Sequence, residues 1–207
     1  MDTTITNAQS FMAGYLTGLS AVLQSLPPRD VETAIAYVWE AYDQGRQIFV
    51  VGNGGSAATA SHLGCDLGKT VLGSGAVASA KRFKVIPLTD NMPLLTAWAN
   101  DVSYDSVFAE QLRNLAAPGD LLIVITASGN SPNILAAVKA ARELRVKSIG
   151  LLGFQGGIVR GVLDHAVVVR STNYGHIEDT HMILTHLITA YFKERYVGAR
   201  VPMEAVG

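Results

Sequence analysis

Three groups of residues in this 207-residue chain have the types and spacing that chemistry requires. The first is a glycine-rich turn, Gly52-Asn53-Gly54-Gly55-Ser56, which follows the apolar run Phe49-Val50-Val51 and leads into the helix-like stretch beginning Ala57-Ala58-Thr59. A turn of this kind offers bare backbone N–H groups to an anion, with the positive end of a helix behind them. The second is Thr126-Ala127-Ser128-Gly129-Asn130-Ser131-Pro132, which follows Leu121-Leu122-Ile123-Val124-Ile125 and repeats the design with three hydroxyl side chains. Two such turns fit a small phosphorylated ligand. The third is the pair His62 and Asp66, four residues apart. On a helix they project from one face about one turn apart, close enough to share a metal ion or a substrate. A surface histidine paired with a carboxylate has the same spacing, so the pair alone does not choose between these readings.

Other chemistries for the glycine-rich turn fail on specific residues. Gly52-Asn53-Gly54-Gly55-Ser56-Ala57 fits the loose form G-x-G-x-x-A of a dinucleotide-binding turn, which expects an acidic residue about 20 positions later. No acid lies between Lys69 and Thr89. Gly68-Lys69-Thr70 has the ending of a nucleotide-binding P-loop, but the earlier glycine of that motif is Leu63 here, and the segment falls at the end of a helix. A purely structural glycine turn leaves Asn53, Ser56 and the second hydroxyl-rich turn without a common reason.

The elements that must hold these groups follow from hydrophobic periodicity. Ile5, Ala8, Met12, Leu16, Leu19, Val22, Leu23 and Leu26 recur at three- and four-residue intervals and define a helix, ended by Pro27-Pro28. A second helix runs from about Asp30, its expected N-cap, to Asp43, with Val31, Ala34, Ile35, Val38, Trp39 and Tyr42 inward. Together they make an N-terminal helical hairpin over residues 1–45. Residues 46–207 then alternate short apolar runs with helix-length segments, the pattern of a parallel sheet covered on both faces. Strands are expected at Ile48–Val51, Lys84–Leu88, Leu121–Ile125, Ser148–Leu152 and His165–Val169. Helices are expected at Ala57–Leu67, Met92–Asn100, Tyr104–Leu115 and Pro132–Leu144, with a short turn near Gly157–Val162 and a closing helix from Ile177 to Tyr196. Gly73–Ala80, rich in small residues, is expected to be a mobile connection. The fold class is therefore α/β, a five-stranded parallel sheet with helices on both faces, in one domain. Its ligand is expected beyond the carboxyl ends of the strands.

Composition narrows the partners. A net charge of -1 and 16% charged residues leave no broad basic surface for nucleic acid. Lys81-Arg82-Phe83-Lys84 is the one basic cluster and is expected to be a solvated loop. No apolar run approaches membrane-spanning length, and Met1-Asp2-Thr3-Thr4 has no secretory pattern. A single cysteine fits a reducing cytoplasm, and Cys65, on an apolar stretch, is expected to be buried and inert.

The arrangement resembles the sugar isomerase (SIS) family, a flavodoxin-like fold, and within it the phosphoheptose isomerase branch. The likeness rests on the hairpin, Gly52-Asn53-Gly54-Gly55-Ser56, Asn100-Asp101, Thr126-Ala127-Ser128-Gly129-Asn130-Ser131, and Glu178-Asp179-Thr180-His181 through His186. It implies conversion of sedoheptulose 7-phosphate to D-glycero-D-manno-heptose 7-phosphate, a zinc ion and a homotetramer. By the same resemblance, Ser56, Thr126, Ser128 and Ser131 bind the phosphate, Asn53, Gly54 and Asn100 contact the ligand, and Asp101 orients neighbouring side chains or the ligand. His62, Asp66, Glu178 and His186 form the metal and acid–base set, with Asp66 as base and His186 as acid. His181 is the reserve for His186, expected to face a neighbouring subunit, while His165 and His176 are expected to be structural or exposed.

Two positions depart from the family's usual pattern. Asp66 stands where the best-known heptose isomerases carry glutamate, which withdraws the carboxylate by roughly 1.5 Å, and displacements on the order of 1 Å can cost ~10²-fold in rate. Glu178 stands where glutamine is common and adds a negative charge beside the metal set. The competing class is a non-catalytic SIS module that senses a phosphosugar or holds a protein partner, like the replication-initiator-associated relatives. It would need the phosphate turns but no base and acid. Phe11 and Tyr15 beside the main stripe of the first helix point to pairing with another subunit.

Overall fold

The computed structural model describes residues 7–72 and 81–198. Met1–Thr4, Ile5 and the connection Gly73–Ala80 lie outside the described residues. The chain runs α1 (Ala8–Gln24), α2 (Pro28–Asp43), β1 (Gln47–Val51), α3 (Gly55–Gly68), β2 (Lys84–Pro87), α4 (Met92–Asp101), α5 (Ala109–Leu115), β3 (Leu121–Thr126), α6 (Pro132–Glu143), β4 (Lys147–Gly153), β5 (His165–Val169) and α7 (Tyr174–Gly198). Short 3-10 turns lie at Thr70–Leu72, Tyr104–Ser106 and Ile158–Gly161. The five strands form one parallel sheet in the order β2-β1-β3-β4-β5.

Alternation along each strand explains why both faces are covered. In β1, Ile48 and Val50 enter a core with residues of α2, α3 and α7, while Phe49 and Val51 enter a second core with residues of α5 and α6. In β3, Leu121, Ile123 and Ile125 face the first core and Leu122 and Val124 the second. A strand buried on both sides reads as an unbroken apolar run, which is what made these strands visible in sequence.

The elements differ from the sequence-based expectation where local chemistry intervenes. Asp30 is not the N-cap of α2: Pro28 opens the helix and Asp30 lies in its first turn, because proline at the first helical position loses no intrahelical hydrogen bond. The expected helix Tyr104–Leu115 is two pieces, a 3-10 turn and then α5. Val107 and Phe108, between the two pieces, are both buried. The closing helix begins at Tyr174, where Asn173 Oδ1 accepts a hydrogen bond from the His176 backbone N–H at 3.3 Å, the bond an N-cap side chain makes. In the basic cluster Phe83 is buried and Lys84 opens β2, so only part of it is solvated loop. Cys65 is exposed rather than buried, since it lies on the outer side of α3 while Leu63 and Leu67 take the core side.

Candidate active site

Because β1 and β3 are neighbours while the chain visits β2 between them, the connections leaving β1 and β3 diverge at their carboxyl ends, the switch point where open α/β sheets bind ligands. Both glycine- and hydroxyl-rich turns emerge there. After β1, Gly54 takes a positive φ of 55° and α3 starts without a side-chain cap, with Ser56 buried in its first turn. After β3, Thr126 Oγ1 accepts from Gly129 N–H at 3.3 Å and Ser128 Oγ accepts from Asn130 N–H at 3.4 Å. Ser131 precedes α6 but makes no side-chain cap bond, leaving its hydroxyl available at a helix start. The turn is braced from behind. Gly129, at φ 65°, has no room for a Cβ, which would stand 2.0 Å from Gly156 O, and Asn130 Oδ1 accepts from Ile158 N–H at 2.9 Å.

A reciprocal amide pair ties the two turns together. Asn53 Nδ2 donates to Asn133 Oδ1 at 2.9 Å, and Asn133 Nδ2 donates to Asn53 Oδ1 at 2.8 Å. Tyr104 Oη donates to the same Asn53 Oδ1 at 3.1 Å. Neither Asn133 nor Tyr104 was singled out from sequence. No local signal marks an asparagine whose partner lies 80 residues away.

The ionisable groups gather where α3 and α7 run side by side. His62 Nε2 lies 2.8 Å from His186 Nε2 and 3.4 Å from Asp66 Oδ2. The donor atoms of His62, Asp66 and His186 all lie within 4.8 Å of one another, with Asp66 buried and both imidazoles exposed. Two imidazole nitrogens and a carboxylate oxygen at this spacing can share a proton, or can turn their lone pairs onto one cation. A mixed nitrogen and oxygen set of this kind fits zinc.

The remaining residues are placed as follows. Glu178 is not part of the cluster of three: its carboxylate lies over Gly55, at about 3.1 Å from where a Cβ would stand. Eight residues of helix, about 12 Å along its axis, separate Glu178 from His186. Asn100 Nδ2 donates to Asp101 Oδ1 at 2.8 Å, and both side chains are exposed at the end of α4. His181 does not face a neighbouring subunit. It is 1% exposed, and neither ring nitrogen has a hydrogen-bond partner. Burial pushes its pKa down to about 4, which the nearby Leu152 backbone offsets only in part. The physical reason is the helix period: Ile177, Leu184 and Ile188 turn inward with it. His176 is also buried, edge-on to Tyr15 at 4.4 Å, and His165 Nε2 meets Asp30 O at 2.7 Å.

The chain is similar to known proteins over most of its length. The SIS domain family profile matches residues 14–153. A phosphoheptose isomerase from Pelobacter propionicus is 36% identical over 168 residues, covering 81% of this chain and 85% of the relative. One from Aliarcobacter butzleri is 40% identical over 159 residues, covering 76% and 81%. The solved structure of a phosphoheptose isomerase from Neisseria gonorrhoeae superposes with a TM-score of 0.82 at 28% identity, covering 91% of this chain and all of that one.

Proposed function

Since the chain belongs to the SIS domain family, we propose that it is an aldose–ketose isomerase acting on phosphorylated heptoses, interconverting sedoheptulose 7-phosphate and D-glycero-D-manno-heptose 7-phosphate. Relatives and a solved structure named phosphoheptose isomerase support the activity. The observation that carries the reading is the convergence of the Asp66 carboxylate from α3 and the His186 imidazole from α7 within 4.8 Å. A module that only bound a phosphosugar would need the turns after β1 and β3 but not this pair.

Isomerisation moves one proton between neighbouring carbons while the carbonyl moves the other way. In this reading Asp66 takes the proton from C1 of the ketose and returns it at C2 of the enediol. His186 gives a proton to O2 as the enediol forms and takes the proton from O1 as it collapses to the aldehyde, as an imidazole can near neutral pH. Ser56, Thr126, Ser128, Ser131 and the helix starts of α3 and α6 hold the phosphoryl group. Asn53 and Gly54 address the sugar, and Asn100 and Asp101 orient it.

His62, Asp66 and His186 would hold a zinc ion, and Glu178, over Gly55 at the start of α3, stays outside that set. When bound, zinc would polarise the sugar oxygens as a Lewis acid. We further read the protein as a cytoplasmic homotetramer. Supporting this, no described helix is long and apolar enough to cross a membrane, and α1 has no buried residue within one chain.

Incubating the protein with sedoheptulose 7-phosphate in deuterated water tests the reaction. Deuterium at C2 of an aldoheptose phosphate is the expected product, and loss of turnover after chelation, restored by zinc, is the expected response to metal removal. Absence of any heptose product with or without zinc sinks the isomerase reading.

A further inference from the structure

Asn53 stands in the turn expected to address the sugar, yet its amide is already largely committed. A side-chain amide has two N–H donors and one oxygen with two lone pairs. The reciprocal bonds with Asn133, at 2.9 and 2.8 Å, close a ring in which each amide gives one N–H and takes one. Tyr104 Oη, at 3.1 Å, takes the second lone pair of Asn53 Oδ1. Both acceptor sites of Asn53 are therefore filled, and one N–H remains. Asn133 is 1% exposed in the first turn of α6. An amide buried this deeply costs free energy unless it is paired, so Asn53 and Asn133 hold each other in one orientation.

Resting on the isomerase reading, we infer that Asn133 and Tyr104 are positioning residues that fix the Asn53 side chain as a hydrogen-bond donor, with its one remaining N–H for a sugar phosphate oxygen. The same pair sets the spacing between the turn after β1 and the start of α6, the two places from which phosphate-binding hydroxyls and N–H groups project. Specificity follows from the polarity. Asn53 can donate its N–H to a lone pair of a ligand oxygen, and it has no free acceptor to select for a ligand N–H or O–H.

Asn133→Asp keeps the volume but removes the donor: one carboxylate oxygen still accepts from Asn53 Nδ2, while the other confronts Asn53 Oδ1 and repels it. We expect Asn133→Asp and Asn133→Ala to raise KM by ~10- to 100-fold with kcat changed by less than ~3-fold, the range expected when a hydrogen bond to a charged ligand is lost equally in the ground and transition states. Tyr104→Phe, which removes one of three bonds, should raise KM by ~3-fold. In a double-mutant cycle, Asn53→Ala with Asn133→Ala should be no worse than Asn53→Ala alone, within ~3-fold. Titration of the same variants with inorganic phosphate should show ~10-fold weaker binding for Asn133→Asp than for the unchanged protein. Additive losses in the cycle, or a KM for Asn133→Asp equal to the unchanged protein's, overturn the inference. If Asn133→Ala does not fold, Asn133→Asp alone decides it. Should the unchanged protein bind phosphate but isomerise no heptose, the isomerase reading fails while the coupling of Asn53 and Asn133 is still read from the phosphate titration.

Discussion

Asp66 is 8% exposed and its carboxylate lies 3.4 Å from His62 Nε2, so its replacement by an amide of the same size removes charge and basicity with little change in volume. Asp66→Asn is expected to lower kcat by ~10²- to 10⁴-fold, the range of a lost general base, with a folded protein by circular dichroism. A variant with more than a tenth of the original kcat refutes Asp66 as the base. His181 makes a second, independent test at this scale, because it reports on stability rather than turnover. Its ring is neutral in the folded protein with a pKa near 4, against about 6.5 when unfolded. Between those values the unfolded chain binds more protons, so stability falls as pH is lowered from 6.5 towards 4, by up to ~3 kcal/mol. His181→Leu should flatten that segment of the pH dependence measured by urea unfolding, and an equal loss in both proteins refutes the assignment.

At the scale of elements, the turn after β3 is shaped by what lies behind it. A Cβ on Gly129 would overlap Gly156 O at 2.0 Å, and φ 65° disfavours any other residue there. Gly129→Ala is therefore expected to destabilise the fold by ~1–3 kcal/mol and to weaken phosphate binding, seen in thermal unfolding with and without added phosphate. An unchanged melting temperature and phosphate shift would show that the turn tolerates displacement. The strands and helices that such turns join were largely legible, because a parallel sheet buried on both faces writes itself as apolar runs separated by helical periods. What periodicity did not carry was local: the break after Ser106, at the buried pair Val107 and Phe108, and the start of α7, which follows from the side chain of Asn173. The convergence of α3 on α7 was expected only through resemblance, since spacing along α7 cannot say whether His181 or His186 faces α3. Asn133 was invisible for a related reason, as its partner is set by the crossing of two connections and not by anything near it in sequence.

At the scale of the molecule, α1 is the element whose chemistry one chain does not satisfy. Phe11, Met12 and Leu16 remain more than half exposed, and Ile183, Leu187 and Tyr191, spaced by four along α7, line a second exposed apolar strip. Between the helices of the hairpin and α7 lies a groove of about 500 Å³, walled by Leu23, Leu26, Val31, Ile35, Leu184 and Leu187 among others. An exposed apolar strip on each of two helices is what an association surface would offer, and association of identical chains is the arrangement that the homotetramer reading requires. Leu16→Glu combined with Leu187→Glu would place unpaired carboxylates in that surface, at a cost of several kcal/mol for each one buried. Sedimentation velocity should then show the variant at the mass of a single chain at concentrations where the unchanged protein sediments as a larger species of constant mass. A single-chain mass for the unchanged protein would refute the assembly. The consequence reaches the site, because Tyr15 on α1 donates to Asp179 Oδ2 at 2.6 Å, one residue from Glu178. Contacts that hold α1 thereby hold the first turns of α7, and activity measured on the same variant fractions should fall together with their mass.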